Sequence, residues 1–421
     1  MSARTSRAPT PQTTDLGFYG WRIVSVAFIV DFVAVGFFFY SFGVFLKPIA
    51  ADLDGSRFSV SLALSISNGV GALASPFIGR SLDQRSIRRI MIIGAVAVGA
   101  GFLALSNMES IWQLYLTMGT LFAFGMSMMG GLASAKLVSN WFEQTRGRAL
   151  GIATIGVSFS GLVMPLVATW LIAAVGWRSG FQVYSALTIA IVVPLVAWTV
   201  VDRPEDMGLL PDGGAPMPEP SERGRGVDRT WRTAELLRNR NFWAIAFPFA
   251  LAFSSLSAVL VHLVPFASDA GLSAQRAALI ASVAAGAGAI GKPIFGGLVD
   301  RVDARVAIAA SFSGQLVGLV LFILSGTFLS MLAAGILFGF SMGGVVPLHG
   351  AVTARAFGRL SFGKALGLLR PVQIPIHVLG PPLAGWVFDT TGSYAPAFWT
   401  FTGFYVAAIA SIAWLRLEPA R

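Results

Sequence analysis

Gly79-Arg-Ser-Leu-Asp83-Gln-Arg-Ser-Ile-Arg88-Arg89 has a counterpart in the second half of the chain, Gly296-Gly-Leu-Val-Asp300-Arg-Val-Asp-Ala-Arg305-Val306. Glycine, aspartate and arginine keep the same spacing in both: Gly79, Asp83, Arg88 and Gly296, Asp300, Arg305. Each stretch closes one long apolar run and opens the next. A second pair keeps almost the same offset: Gly147-Arg148-Ala149-Leu150-Gly151 and Gly363-Lys364-Ala365-Leu366-Gly367. Pro165 and Gly176 likewise recur as Pro381 and Gly392. A membrane-spanning unit has been duplicated, with charged loops at corresponding places in each copy.

The membrane assignment follows from composition. The chain is 55% hydrophobic and 12% charged, whereas soluble domains carry about 25% charged residues. Apolar segments near 22–46, 58–79, 90–107, 112–137, 147–173, 179–201, 242–264, 275–298, 305–326, 328–352, 364–388 and 394–416 are each about long enough to cross the hydrocarbon. The expected fold is an all-α membrane protein with twelve transmembrane helices in two six-helix bundles. The expected division is an N-terminal bundle over 1–201, a linker over 202–241 and a C-terminal bundle over 242–421. The linker is rich in Pro, Gly, Glu and Arg, a composition that favours a flexible connection. Thr233 to Arg240 reads as a short amphipathic helix on the membrane surface.

A net charge of +10 suggests a nucleic-acid partner, but its distribution excludes one. Of the 30 Lys and Arg residues, only Lys47, Arg57, Arg178 and Arg276 fall between spans on the side away from the N-terminus. Only Lys292 and Arg370 fall within spans. The positive-inside bias places both termini and the linker in the cytoplasm, and the expected location is the cell (inner) membrane. Residues 1–17 lack the short apolar core and cleavage site of a signal peptide, so the first apolar run is expected to be retained. The chain has no cysteine, which removes disulfides, thiol nucleophiles and thiolate metal sites. No cofactor or metal is called for, and the expected functional unit is a monomer.

The repeated Gly-x-x-x-Asp with paired basic residues resembles the loop 2–3 signature of the major facilitator superfamily and its degenerate twin in loop 8–9. Further stretches resemble the monocarboxylate transporter family and its bacterial oxalate/formate exchanger relatives. They are Tyr19-Gly20-Trp21, Trp141-Phe142 with Arg146-Gly-Arg-Ala-Leu-Gly151, RPEDMGLLPDG at 203–213, and Lys292-Pro293. The resemblance covers residues 18–416. It implies secondary transport of a small organic anion by alternating access, with protons as the coupling ion and the bilayer as the setting. The family's substrate-binding arginine on the eighth helix falls at Lys292, which keeps the charge and loses the planar fork. Its proton-coupling aspartate, one turn earlier, falls at Gly288, which carries no proton. A first-helix lysine of the animal members falls near Tyr40. The exchanger's eleventh-helix lysine falls at Gln373, one turn from Arg370.

In that fold Asp83 faces the start of the eleventh helix, around Gly363, and Asp300 faces the start of the fifth, around Gly147. A helix start carries roughly +0.5 charge and unpaired N–H groups, and stabilises a carboxylate by about 0.3–2 kcal/mol. Such contacts are expected to latch the cytoplasmic side shut in the outward-open state. The plainer alternative is that these loops only enforce topology through their arginines.

An ionisable group within a span costs several kcal/mol unless paired or wet, and is a functional hypothesis by default. Asp31, Lys292 and Arg370 lie about 9–14 Å from the cytoplasmic boundary at 1.5 Å per residue, so they are expected in one layer. Arg370, Gln373 and His377 are spaced i, i+3, i+7 and share one helical face. Arg370 and Lys292 each precede a proline, whose ring leaves the helix locally open beside the cation. Two cations on two helices of one half make a carboxylate site, arginine gripping with parallel hydrogen bonds and lysine acting as a point charge.

Asp31 is the expected proton-coupling group, with His377 second, and its protonation is expected to release Lys292 or Arg370 to the substrate. Tyr40 and Asn68 are further candidates to touch substrate. Plainer roles stand beside these: snorkelling for Lys292 and Arg370, interhelical bonding for His377 and Asn68, and structural ion pairing for Asp31. Lys136 and His349 read as interfacial on the cytoplasmic side, and His262 on the outer side. The leading function is proton-coupled monocarboxylate transport. The alternatives are export of drugs or hydrophobic compounds, for which Phe37-Phe38-Phe39-Tyr40 offers an aromatic lining, and carboxylate or dicarboxylate exchange. With three His, no Cys and no carboxylate cluster within the spans, an intramembrane enzyme has no catalytic constellation.

Overall fold

The computed structural model describes residues 17–143, 145–213 and 231–417, without the side chains of residues 359 and 360. Residues 214–230 of the expected linker therefore lie outside the described residues. In chain order the spans are α1 (Gly20–Asp52), α2 (Arg57–Gln84), α3 (Ile87–Ser106), α4 (Ile111–Trp141), α5 (146–175), α6 (177–199), α7 (Arg240–Asp269), α8 (Ala274–Arg301), α9 (Ala304–Leu324), α10 (Phe328–Gly358), α11 (359–391) and α12 (Ala395–Trp414). A helix stands at each of the twelve expected spans, and all but α11 belong to helical runs long and apolar enough to cross a membrane. Several helices run past the apolar segments, because helical hydrogen bonding continues beyond the hydrocarbon. α5 and α6 are one helical run that reverses at Gly176, where φ is 80° and ψ 164°. α10 and α11 reverse in the same way at Gly358, where φ is 73° and ψ 169°. Only glycine adopts that backbone without strain. A short helix, Thr233–Arg238, stands where the surface helix was expected.

Several spans are interrupted. α1 widens to a π turn at Gly36–Tyr40, and α11 breaks between His377 and Gly380 amid Pro371, Pro375, Pro381 and Pro382. In hydrocarbon a freed carbonyl has no water to turn to and needs a donor from the protein. The Ser65 hydroxyl on α2 donates to the Val378 carbonyl at the α11 break, at 2.5 Å.

The first half is packed by aromatic rings. Phe37 stacks on Tyr184 and Phe45 on Phe181, both with centroids 4.3 Å apart. Phe37 and Phe38 are buried, so they pack the core, and only Phe39 and Tyr40 of that stretch remain partly accessible. The second half relies on small residues: Gly291 lies under the Phe340 carbonyl and Gly339 under that of Ala284, so α8 and α10 touch backbone to backbone. Large apolar side chains such as Leu73, Phe77, Trp170 and Trp198 point outward, as a lipid-facing surface requires.

The two halves meet unevenly. On the side away from the linker, a Cβ at Gly43 would lie 2.6 Å from the Val261 carbonyl, and one at Gly385 2.6 Å from the Phe58 amide nitrogen. On the linker side, Gly79, Gly147, Gly151, Gly363 and Gly367 have open space around them. Among the described residues, the side-chain hydrogen bonds that join the two halves lie away from the linker or at mid-span, so the bundle is closed away from the linker. Gly385→Val puts side-chain atoms into the α2 backbone and is expected to part the closed side. In this cysteine-free chain, spin labels at Ala51→Cys and Ala270→Cys, one on each half, should then lie further apart; an unchanged distance would show that the seam tolerates the side chain.

Candidate functional site

The intramembrane charges occupy different environments. Lys292 crosses the seam between the halves, its Nζ donating to Ser158 Oγ of α5 at 2.5 Å. Asp31 is only 3% exposed and accepts from Ser134 Oγ of α4 at 2.9 Å. The carboxylate is turned into the first half, and no ion pair joins it to Lys292 or Arg370 in this conformation. The expected release of a cation by Asp31 thus has no contact to act through here.

The expected polar face of α11 is also divided. Gln373 is buried, with its Nε2 3.1 Å from His349 Nε2 of α10 and 3.4 Å from the Ala246 carbonyl. His349 itself is buried against Phe249, ring centroids 4.7 Å apart, so it is a core residue and not an interfacial one. Arg370 is exposed and His377 half-buried beside Phe253. Tyr40 and Asn68 are also half-buried, and the Tyr40 ring lies close to Gly161 of α5. Among the described residues, the sealed side-chain polar atoms without a hydrogen-bond partner are Ser254 Oγ, Ser282 Oγ and Arg305 Nε. The polar ends of Tyr40, Asn68, Arg370 and His377 carry no protein hydrogen bond and are not sealed.

The duplicated loops form matching pairs within their own halves. Asp83 pairs with Lys136 at 2.6 Å and Asp300 with Arg355 at 3.4 Å. Both aspartates are well exposed, at 61% and 77% of their side chains. The Arg88 amide donates to Asp202, and Arg305 Nε lies 3.5 Å from Asp303. Gly79 has open space around it, and a Cβ at Gly296 would lie 3.8 Å from Pro347 Cβ. Near the start of α5, Asp212 accepts from the amides of Glu143 and Thr145 at 2.8 and 3.3 Å. Near the start of α11, Lys364 donates to the Trp231 carbonyl at 3.1 Å.

A family description, Major Facilitator Superfamily, matches residues 28–369 and 264–421. The chain belongs to that superfamily. Its superfamily relatives include monocarboxylate transporter 11 of Homo sapiens, 27% identical over 94% of this chain and 82% of the relative. Monocarboxylate transporter 13 of Rattus norvegicus is 28% identical over 93% and 87%, and monocarboxylate transporter 12-B of Danio rerio 27% over 91% and 84%. Among solved structures, a bacterial homologue of the human lysosomal transporter Spinster, inward-facing and unoccupied, superimposes with a TM-score of 0.71 at 14% identity, over 96% of this chain and 100% of the other. The protein is a multi-pass membrane transporter resembling the monocarboxylate transporter family, not an enzyme.

Gly288, where the family resemblance puts an aspartate, is packed against α10: a Cβ there would lie 3.0 Å from Met342 Cε and 3.1 Å from the Gly339 carbonyl. A side chain at that point would require Met342 or the α10 backbone to give by a few tenths of an ångström. Sequence reasoning missed His349, His262, Ser134 and Ser158 as polar partners, because their roles depend on which way each helix is turned. Replacing His349 with Leu leaves the buried Gln373 amide one long contact and is expected to destabilise the protein by about 1–3 kcal/mol. A thermal midpoint in detergent equal to that of the unmodified protein would show that the pair contributes nothing.

Proposed function

We propose that the chain moves a small organic anion, first of all a monocarboxylate, together with protons. Its linker and termini lie in the cytoplasm, and a single chain is the working unit. The two bundles, 1–201 and 242–421, rock about the α5–α8 seam, and the conformation described above is the inward-open one. The observation that carries this reading is a pair of cations, Lys292 and Arg370, in one half of the bundle, with no carboxylate paired to either among the described residues. Lys292, half-buried at the seam, is a charge within a span that calls for a partner, and a substrate carboxylate supplies it. Arg370 lends two parallel donors and Lys292 a point charge. Tyr40, Asn68 and His377 add hydrogen bonds around the substrate, with Gln373 held back by His349 in this state.

Asp31 is the proton-coupling carboxylate in this reading, since Gly288 supplies none at the position where the resemblance puts one. Its single partner is a neutral hydroxyl, so a proton can come and go without breaking an ion pair. His377 is the second candidate. Asp83 and Asp300 exchange Lys136 and Arg355 for the helix starts at Gly363 and Gly147 when the cytoplasmic side closes, with Arg88 and Arg305 flanking them. The open space at Gly79, Gly147 and Gly363 supports that reading, since it leaves room for helices to approach. A second reading, transport of lipophilic compounds, is favoured by an apolar groove of about 550 Å³ between α5, α8 and α10, lined by Ile155, Phe159, Leu162 and Ile290.

Uptake of labelled monocarboxylates, dicarboxylates and a lipophilic cation into proteoliposomes, with and without a pH gradient, separates the readings. Arg370→Ala should raise KM for the carboxylate about 10–100-fold, the equivalent of a charge-assisted hydrogen bond of about 1.5–3 kcal/mol, and Arg370→Lys should recover part of it. Carboxylate uptake unaffected by Arg370→Ala, or uptake of the cation alone, overturns the anion site. Asp31→Asn should flatten the dependence of uptake on the pH gradient while substrate binding persists; a pH dependence retained in full removes Asp31 from coupling.

A further inference from the structure

The side away from the linker is held shut by a network centred on Arg57, at the start of α2. Its guanidinium donates to both carboxylate oxygens of Asp269, at the end of α7, and to Tyr394 Oη at 2.7 Å. It also lies 3.5 Å from the ring centre of Phe388. Lys47 of α1 donates to the same Asp269 at 2.8 Å. Asp389, near the end of α11, accepts from the backbone amides of Arg57 and Phe58 at 3.0 and 2.8 Å, a carboxylate set on the helix start of α2. Lys47, Arg57 and Phe58 belong to the first half, and Asp269, Phe388, Asp389 and Tyr394 to the second.

Behind this network lies His262 of α7, with no exposed surface. Its Nδ1 is 3.0 Å from Tyr394 Oη and its Nε2 2.9 Å from the Pro381 carbonyl, where α11 resumes after its break. The donors fix the direction of the chain. Arginine only donates, so Tyr394 Oη accepts from Arg57 and gives its own hydrogen to His262 Nδ1. His262 Nε2 therefore carries the ring hydrogen and donates to Pro381. Burial pushes the Tyr394 phenol above its ordinary value, so that it keeps the one hydrogen the chain needs. With Tyr394 as the donor of the middle bond, every hydrogen in the chain finds an acceptor only when the ring is in its neutral Nε2–H form.

A second ring hydrogen, on Nδ1, reverses the middle link. Tyr394 Oη then faces N–H donors from both Arg57 and His262, and its own hydrogen has no acceptor. The imidazolium would also face Arg57 across the phenol. The charged and titratable groups around it are Tyr394, Arg57 and Lys47, with Asp389 on α11 and Asp269 at the end of its own helix. Both carboxylates are already engaged, Asp269 by Arg57 and Lys47 and Asp389 by the α2 amides. Neither is left to accept from His262.

We propose that His262 is a proton-binding site of the outer gate: the neutral ring locks the gate through Tyr394 and Arg57, and a proton taken from the outer medium during an opening prevents it from closing again. The inference rests on the orientation proposed above and not on the choice of substrate. It predicts a second point of proton control, apart from Asp31 and on the opposite side of the bundle.

The full chain in lipid nanodiscs, spin-labelled at Ala51→Cys and Ala270→Cys, tests it by distance measurement at pH about 8 and about 5.5, a window that spans ordinary histidine titration. The parent should shift from a short to a long distance on acidification. His262→Gln, which keeps an amide donor and acceptor but does not titrate, should lose that shift, whereas Asp31→Asn should keep it. Tyr394→Phe breaks the link and should favour the long distance at both pH values. A parent without a shift, a shift that survives in both His262→Gln and His262→Asn, or a Tyr394→Phe protein that behaves as the parent does overturns the proposal. The carboxylate uptake assay is separate: its failure with the pH shift intact removes the anion reading and leaves the gate.

Discussion

Hydrocarbon offers no water to an unpaired backbone group, so every place where a helix of this protein departs from regular geometry must be answered by a side chain. The π turn in α1 is answered by Ser41, whose hydroxyl donates to the Gly36 carbonyl at 2.9 Å and lies 3.0 Å from Tyr184 Oη. The break in α11 is answered by Ser65 from α2, and the resumption of α11 by His262 from α7. Points at which a helix can bend are thereby tied to neighbouring helices. Bending at one of them is felt by α2, α6 or α7, and two of the three ties end on α11, the helix that carries Arg370 and His377.

The duplication sets the frame within which the halves differ. The position of the first half that corresponds to Arg370 holds Thr154, and that of His377 holds Gly161. A Cβ at Gly161 would lie 2.7 Å from the Tyr40 ring and 2.8 Å from Ala285 Cβ, so a side chain as large as histidine is crowded out there. The first half packs its interior with aromatic rings. The second half packs by glycine, which lets α8 and α10 come together and leaves Lys292 and Arg370 to carry the charge.

Much of the fold was legible in the sequence because apolar length and the distribution of cations are one-dimensional properties. The twelve spans, the reversals at Gly176 and Gly358 and the short helix before α7 follow from them or agree with them. The rotation of each helix about its own axis was not legible. Asp31 and Lys292 lie at similar depths, yet one turns to α4 and the other to α5. The i, i+3, i+7 pattern on α11 placed Gln373 beside Arg370, but packing against His349 draws it into the interior. The network around Arg57 joins residues from α1, α2, α7 and α11 that no local pattern connects. One trace of it was present: Lys47 and Arg57 are among the few cations on their side of the membrane, and Asp269 and Asp389 fall at span ends on that same side.

The sequence pointed to carboxylates on helix starts as latches for the linker side, through Asp83 and Asp300. The structure displays the same device at the other end, where Asp389 sits on the first turn of α2. Meanwhile Asp83 and Asp300 rest on Lys136 and Arg355, exposed partners in their own halves. Exposed ion pairs contribute about 0–1 kcal/mol, so leaving them costs little. A carboxylate at a helix start gains about 0.3–2 kcal/mol, which is enough to bias a closed state without trapping it. Alternating access needs this near balance, because a gate that closed much more tightly than its resting pairs could not reopen within the cycle. The exposure of Asp83 and Asp300, read on its own as a sign of unimportance, is what an exchangeable latch requires.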